Sequence, residues 1–330
     1  MTRCLADSSI PRVEIGGFKF PLGVYPIEPL TPRPGYLVEF EPADGGDEAS
    51  EWEEWPDRYV FDIVITSERL APLIRSLLSI LPPRVYPILD VMGHDPYREI
   101  DPYIAYELVG LDRLVEGIRR FRPFLFEDGL CGFGAMCDDP FAYLFVDEHK
   151  ILTIRVAAEA RERVERILKA FDLEQVPEPL GADAAAHEHR SVLTAPPEAA
   201  DLLTPEEVIE RLRDEWKLVL NIDTETNEDD QGNPLGVTPW RCLVRTTLEG
   251  EPAPRYAEAL LWADGLRIAE ETALDAAEEA LGSAAEKIVD NFVVSADRLT
   301  DAQLTKHKST PGSKTVPKAS GNLIRIKWLG

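Results

Sequence analysis

Asp223 and Glu225 sit one residue apart in "NIDTETNEDDQGNPLG", at the end of an apolar run, with Asp229 close behind. Carboxylates so spaced could clamp Mg²⁺, because a hard cation needs several oxygen ligands converging on one point. Calcium is a second option, since Asn227, Asp229, Gln231 and Gly232 follow the spacing that opens an EF-hand loop. The position that should hold the bidentate Glu is Thr238, which removes the ligand such a loop cannot do without. Turn-forming "QGNPLG" lies between the strand-like runs "KLVLNI" and "RCLVRTT", so the stretch is expected to be the polar tip of a hairpin.

"IDTET" resembles the Asp-x-Glu motif of two-metal exonucleases of the DEDD kind. That resemblance implies two further acid-bearing motifs downstream. The candidates "HKSTPGSK" and "DNFVVSAD" have neither the His-x4-Asp nor the Tyr-x3-Asp pattern. Asp223, Glu225 and Asp229 therefore stand as an alternative metal set only, and no family is assigned to the chain.

The second polar constellation is "DVMGHDPYREIDPY", which offers Asp90, His94, Asp95, Arg98, Glu99 and Asp101. A histidine among carboxylates can do acid–base work or hold a metal, and loops on rigid scaffolds carry function more often than cores do. These six are the ligand- or partner-site candidates. Cys131 and Cys137 fall on one face of a strand and read as buried thiols. "GFGAM" lacks the lysine of a phosphate loop. "HEH" at 187–189 could be a metal pair, but its Pro- and Ala-rich surroundings predict an exposed, incidental position.

With 330 residues, 44% hydrophobic and 29% charged, the chain has the composition of a soluble protein with room for two domains. Its net charge of −25 repels nucleic acid and anionic lipid, which are bound through clustered Lys and Arg. No run of about 18 apolar residues suggests a membrane span. Four cysteines without a CxxC spacing, and an N-terminus without an apolar leader, suggest reduced thiols in the cytoplasm. The exception in charge is the C-terminus. From Gln303 onward there are Lys306, Lys308, Lys314, Lys318, Arg325 and Lys327 and no acid.

Periodicity then places the elements. A Pro-rich arm and an acidic loop fill 1–57. A first α/β domain spans 58–175, with helices expected over 70–81, 111–121 and 157–171. Residues 176–203 read as a linker. A second α/β domain spans 204–300, opened by the capping-box signature Thr204-Pro205-x-Glu207. A basic tail covers 301–330, in which "TKHKSTPGSKTVPKAS" is a polar spacer. Leu323, Ile324, Ile326 and Trp328 follow it as an amphipathic strand suited to adding to a sheet edge, the chain's own or a partner's. The expected fold class is α+β: two mixed two-layer α/β sandwich domains of ferredoxin-like grain. The expected function is a non-catalytic cytosolic binding or adaptor protein that makes protein–protein contacts and needs no cofactor. The alternatives are a metal-dependent hydrolase or nuclease using 223–229 or 90–101, and a structural subunit whose arm and tail reach neighbouring chains.

Overall fold

The structure is a computed structural model that describes residues 4–43, 55–196, 199, 201–251, 253–308 and 317–329. Most of the acidic loop, including Trp52, and the middle of the polar spacer lie outside the described residues. The chain is α+β and divides into two compact units, residues 1–92 with 102–221, and residues 93–101 with 222–330. Among the described residues, no helix is long and apolar enough to cross a membrane.

The first unit is built on a nine-stranded sheet. From one edge it runs Gly35–Glu41, Arg58–Val64, Leu152–Val156, Phe141–Val146, Cys131–Asp138, Arg84–Met92, Ile100–Ala105 and Leu218–Leu220, with Val109–Gly110 beside Arg84–Met92. Alternation decides which side is buried. Phe61, Ile63, Leu144, Val146, Leu152, Ile154, Cys131 and Phe133 face one core. Helices Ser67–Leu77, Leu111–Arg120, Arg122–Glu127, Arg161–Ala170 and Pro205–Trp216 bring Leu70, Leu73, Leu114, Phe124, Val164, Leu168 and Leu212 into that same core. Pro123 opens the short helix Arg122–Glu127 rather than simply ending the one before it, because its missing N–H costs nothing in a first turn.

Within 176–203, strand pairing ties two short stretches to this unit. His187–His189 pairs with Val24–Pro26, and Leu193–Thr194 pairs with Leu5–Ala6. Helix Pro205–Trp216 has the expected capping box, with Glu207 N donating to Thr204 Oγ1 at 3.3 Å and Thr204 N to Glu207 Oε2 at 2.9 Å. It buries Val208, Leu212 and Trp216 in the first unit's core, so the chain crosses between units at 221–222.

That crossing corrects the hairpin expected around 221–236. Leu218–Leu220 pairs with Ile100–Ala105 in the first unit, whereas Thr238–Leu248 pairs with two strands of the second. Each run finds its hydrogen-bonding partner elsewhere in the chain. Asp229 instead closes a local turn, accepting from Gln231 N, Asn233 N and the Asn233 amide.

The second unit is a four-stranded antiparallel sheet in the order Ile288–Arg298, Thr238–Leu248, Arg255–Ala263, Asn322–Leu329. Helix Leu266–Leu281 lays Ala269, Ala273 and Ala276 against it, small side chains that allow close approach. The C-terminal residues Leu323, Ile324, Ile326 and Trp328 form this sheet's own edge strand, and Arg325 Nη2 donates to Glu258 at 2.7 Å across it. The 93–101 segment is anchored by a buried ion pair. Asp95, fully buried, accepts from Arg298 Nε at 2.8 Å and from Arg298 N at 3.0 Å. The same guanidinium donates to Asn227 Oδ1 at 3.2 Å and lies over the Tyr97 ring.

Two outcomes follow from this polar centre. Asp95→Ala strands a buried guanidinium and is expected to cost about 3–5 kcal/mol in the urea transition of the second unit. A loss under about 1 kcal/mol would show that the pair anchors nothing. Asp297 is 7% exposed, and its pKa is pushed up to about 6 by burial, then by Asp101 and Asp95. A carboxyl raised in the folded state binds more protons folded than unfolded. Its stabilising protonation is complete below the ordinary carboxylate range and is lost as pH rises to about 6. Asp297→Asn is therefore expected to add about 2 kcal/mol at pH 7 and nothing at pH 3.5, read from melting curves across that range. Equal effects at both pH values would contradict the assignment.

Candidate metal centre

Three histidines from two distant stretches meet in the first unit. His149 lies in the turn between strands Phe141–Val146 and Leu152–Val156. There Asp147 accepts from Ile151 N at 2.7 Å and Lys150 takes the left-handed conformation at φ 64°. Lys150 turns inward, only 4% exposed, and its ammonium donates to the Cys131 carbonyl, which fixes the turn to the sheet. His187 and His189 lie on strand His187–His189, and the period of two puts both on one face. The three rings form a nearly equilateral triangle, with centroids 4.8, 4.8 and 4.9 Å apart, each plane turned 74–77° from the next. One ring nitrogen of each lies within 4.8 Å of the others.

What surrounds the rings fixes their tautomers. His187 Nδ1 is 2.7 Å from the Ala185 carbonyl, and His189 Nδ1 is 2.7 Å from the Gly129 carbonyl. A carbonyl only accepts, so each Nδ1 must carry the proton. In the neutral form of each ring Nε2 then carries a lone pair, and the two Nε2 atoms lie 3.0 Å apart. His149 Nδ1 is 3.2 Å from Asp147 Oδ2 and 3.4 Å from Glu148 Oε1, which orients the third ring in the same way. Lone pairs converging at this distance repel unless a cation sits between them. A tetrahedral Zn²⁺ with bonds of about 2.0–2.1 Å would hold its nitrogens roughly 3.3 Å apart, close to what is seen.

A proton is a poor substitute for that cation at His189. Burial and the charges of His149 and His187 outweigh its bond to Gly129 and hold its pKa below the ordinary value. His149 differs. Burial opposes its charged form, but the Asp147 hydrogen bond and the charges of Asp147, Glu148 and Asp183 prevail and raise it.

The strand carrying two of the ligands is positioned by Asp128. Its fully buried carboxylate accepts from Leu130 N at 3.0 Å, Ser191 Oγ at 2.9 Å and Val192 N at 2.8 Å. Gly129 and Gly23 cross so closely that a Cβ on either would fall 2.1 Å from the other's backbone. That contact brings the Gly129 carbonyl up to His189.

The residues singled out by sequence lie elsewhere. Asp90 is on strand Arg84–Met92, opposite Gly132, and burial followed by Glu148 pushes its pKa up to about 6. His94 and Glu99 are exposed, Asp95 holds Arg298, and Asp101 accepts from Arg98 Nε at 2.6 Å. Glu225 is gripped by Arg267 at 2.5 and 3.1 Å, and Asp223 caps the Glu225 N–H. Asp223, Glu225 and Asp229 are not among the groups of described residues whose ligand atoms converge. All four cysteines are buried thiols, and burial drives Cys131 up to about 12.

Compared with protein-family models, with characterised proteins and with solved structures, the chain matches none. Asp128→Asn is expected to weaken metal uptake by about 10–100-fold, because it loosens the segment that aims His187 and His189. Competition against a chelating dye measures this, with Ser191→Ala as the milder variant. Unchanged affinity in both would remove Asp128 from the centre's support.

Proposed function

We propose that the first unit binds a divalent first-row transition metal, zinc foremost, through the three imidazoles of His149, His187 and His189. The observation that carries this reading is the pair of bare Nε2 atoms 3.0 Å apart, each ring locked by a carbonyl behind it. Imidazole donors suit Zn²⁺, Cu²⁺, Ni²⁺ and Co²⁺ and discriminate against Mg²⁺ and Ca²⁺, which take oxygen. Three protein ligands leave a fourth position for an exchangeable one, the arrangement of sites that act on ligands rather than closed structural sites. On this reading the ligand is a metal ion, where the sequence alone suggested a protein partner and no cofactor. The carboxylates near His149 orient the ring and favour a cation.

A thermal scan tests this directly. Zn²⁺ at a hundredfold excess over Kd should add about 2.7 kcal/mol and raise the melting temperature of the first unit by roughly 5–10 °C. Mg²⁺ and Ca²⁺ should not, and the His187→Ala/His189→Ala variant should lose the response. An equal rise in that variant, or with Ca²⁺, would overturn the metal centre.

A further inference from the structure

From one edge of the nine-stranded sheet we infer that strand Gly35–Glu41 docks an extended peptide of alternating cationic and apolar residues, which adds to the sheet as a further strand. The chain begins to cover this edge itself and then stops. Tyr36 N donates to Glu174 O at 3.0 Å, and Tyr36 O accepts from Val176 N at 2.9 Å. Backbone groups alternate sides along a strand, so those of Val38 and Phe40 point the same way as those of Tyr36. The covering segment does not reach them. Pro177 follows Val176 and has no N–H to give, and the chain turns back to pair Leu180 with Arg33. Among the described residues no other strand lies along Val38 and Phe40, which leaves two N–H donors and two C=O acceptors in a line. Such a line is what strand addition uses for its affinity.

Side chains on the two faces set the partner's chemistry. Toward the helices, Val38 packs on the core while Phe40 is 51% exposed, and an apolar side chain set beside Phe40 covers it. A cavity of about 770 Å³ next to Tyr36, along helix Arg161–Ala170, gives room on that side. The charges this helix lends it, Glu162, Glu165, Arg166 and Lys169, offset one another and select no sign. The opposite face carries Glu39 and Glu41. Arg58 Nε holds Glu41 at 2.8 Å, whereas Glu39 is exposed, sits across from Val60 and has no ion pair among the described residues. The next cation along its row, Arg155, is two strands in and lies over the Trp55 and Tyr143 rings at 4.8 and 5.3 Å. A Lys or Arg placed opposite Glu39 therefore meets a carboxylate with no competing partner. A second copy of the chain suits the edge less well. Joined through the same four groups, two copies would set Glu39 against its own counterpart, and like charges directly opposite destabilise a sheet.

The test titrates the full chain into fluorescein-labelled acetyl-Lys-Val-Lys-Val-Lys-Val-amide and follows anisotropy. Binding is expected to be at least about tenfold tighter than for the same peptide with Glu in place of Lys, and Glu39→Lys should erase that preference. Two further peptides carry N-methyl groups on all Val amides or on all Lys amides. Only the set facing the edge donates to it, so one peptide should lose binding and the other keep it, Val-methylation for antiparallel addition and Lys-methylation for parallel. Hydrogen exchange of the complex should slow at the Val38 and Phe40 amides. Binding that survives both methylations or neither, a preference unmoved by Glu39→Lys, or protection that appears elsewhere and not at Val38 and Phe40, overturns the proposal. So does the absence of binding.

Discussion

The first unit's candidate chemistry hangs on one buried carboxylate. Asp128 has no contact with solvent and satisfies three donors, two of them on the segment that follows strand His187–His189. A buried carboxylate is tolerated only when its lone pairs are met, so the 128–130 turn and the 191–192 backbone must come together for either to be stable. The two glycines beside it do the rest. Gly23 and Gly129 pass at a distance no side chain permits, and Arg190 N donates to Gly23 O at 2.9 Å from the third segment. N-terminal strand, sheet end and crossing segment are thereby fixed to one another, and the imidazoles are carried on the result.

Rigid support matters because the direction of each ring is set by what lies behind it. Each carbonyl-bound ring turns its Nε2 toward the other, and His149, whose charged form its carboxylates favour, stands as the third ring. Folding energy from Asp128, from the Lys150 anchor and from the strand pairing holds them there. A preorganised site of this kind would take up a cation with little reorganisation.

Much of the scaffold was legible in the sequence. The apolar spacing of Leu70 through Leu81, the alternation in "YVFDIVI", the capping box at Thr204 and the tight turn "DEHK" all correspond to observed elements. The candidate metal centre was only half legible. "HEH" at alternate positions is a pair signal, but its partner His149 lies in a turn far upstream and carries no local mark. A ligand set made by tertiary contact has no spacing to read. The Pro- and Ala-rich composition of 176–203 also suggests an exposed linker, because composition reports what a segment can bury and not what it can pair with. The hairpin around 221–236 failed for a related reason. Two adjacent strand-like runs pair locally only if neither is taken up by another strand, and both are.

The acid-rich loops drew attention by charge density, yet their charges are largely spent inside the fold. Asp95 neutralises Arg298, Glu225 is forked by Arg267, and Asp229 closes its own turn. Each has its valence satisfied by neighbours, so a cation arriving there would have to displace an existing bond. At the histidines the Nε2 atoms of His187 and His189 are aimed at each other instead, with a carbonyl behind each ring. Unsatisfied valence held in place by satisfied surroundings is the stronger mark of a binding site. The chain's −25 charge then acts at longer range. It concentrates cations around the whole surface, the three converging imidazoles included.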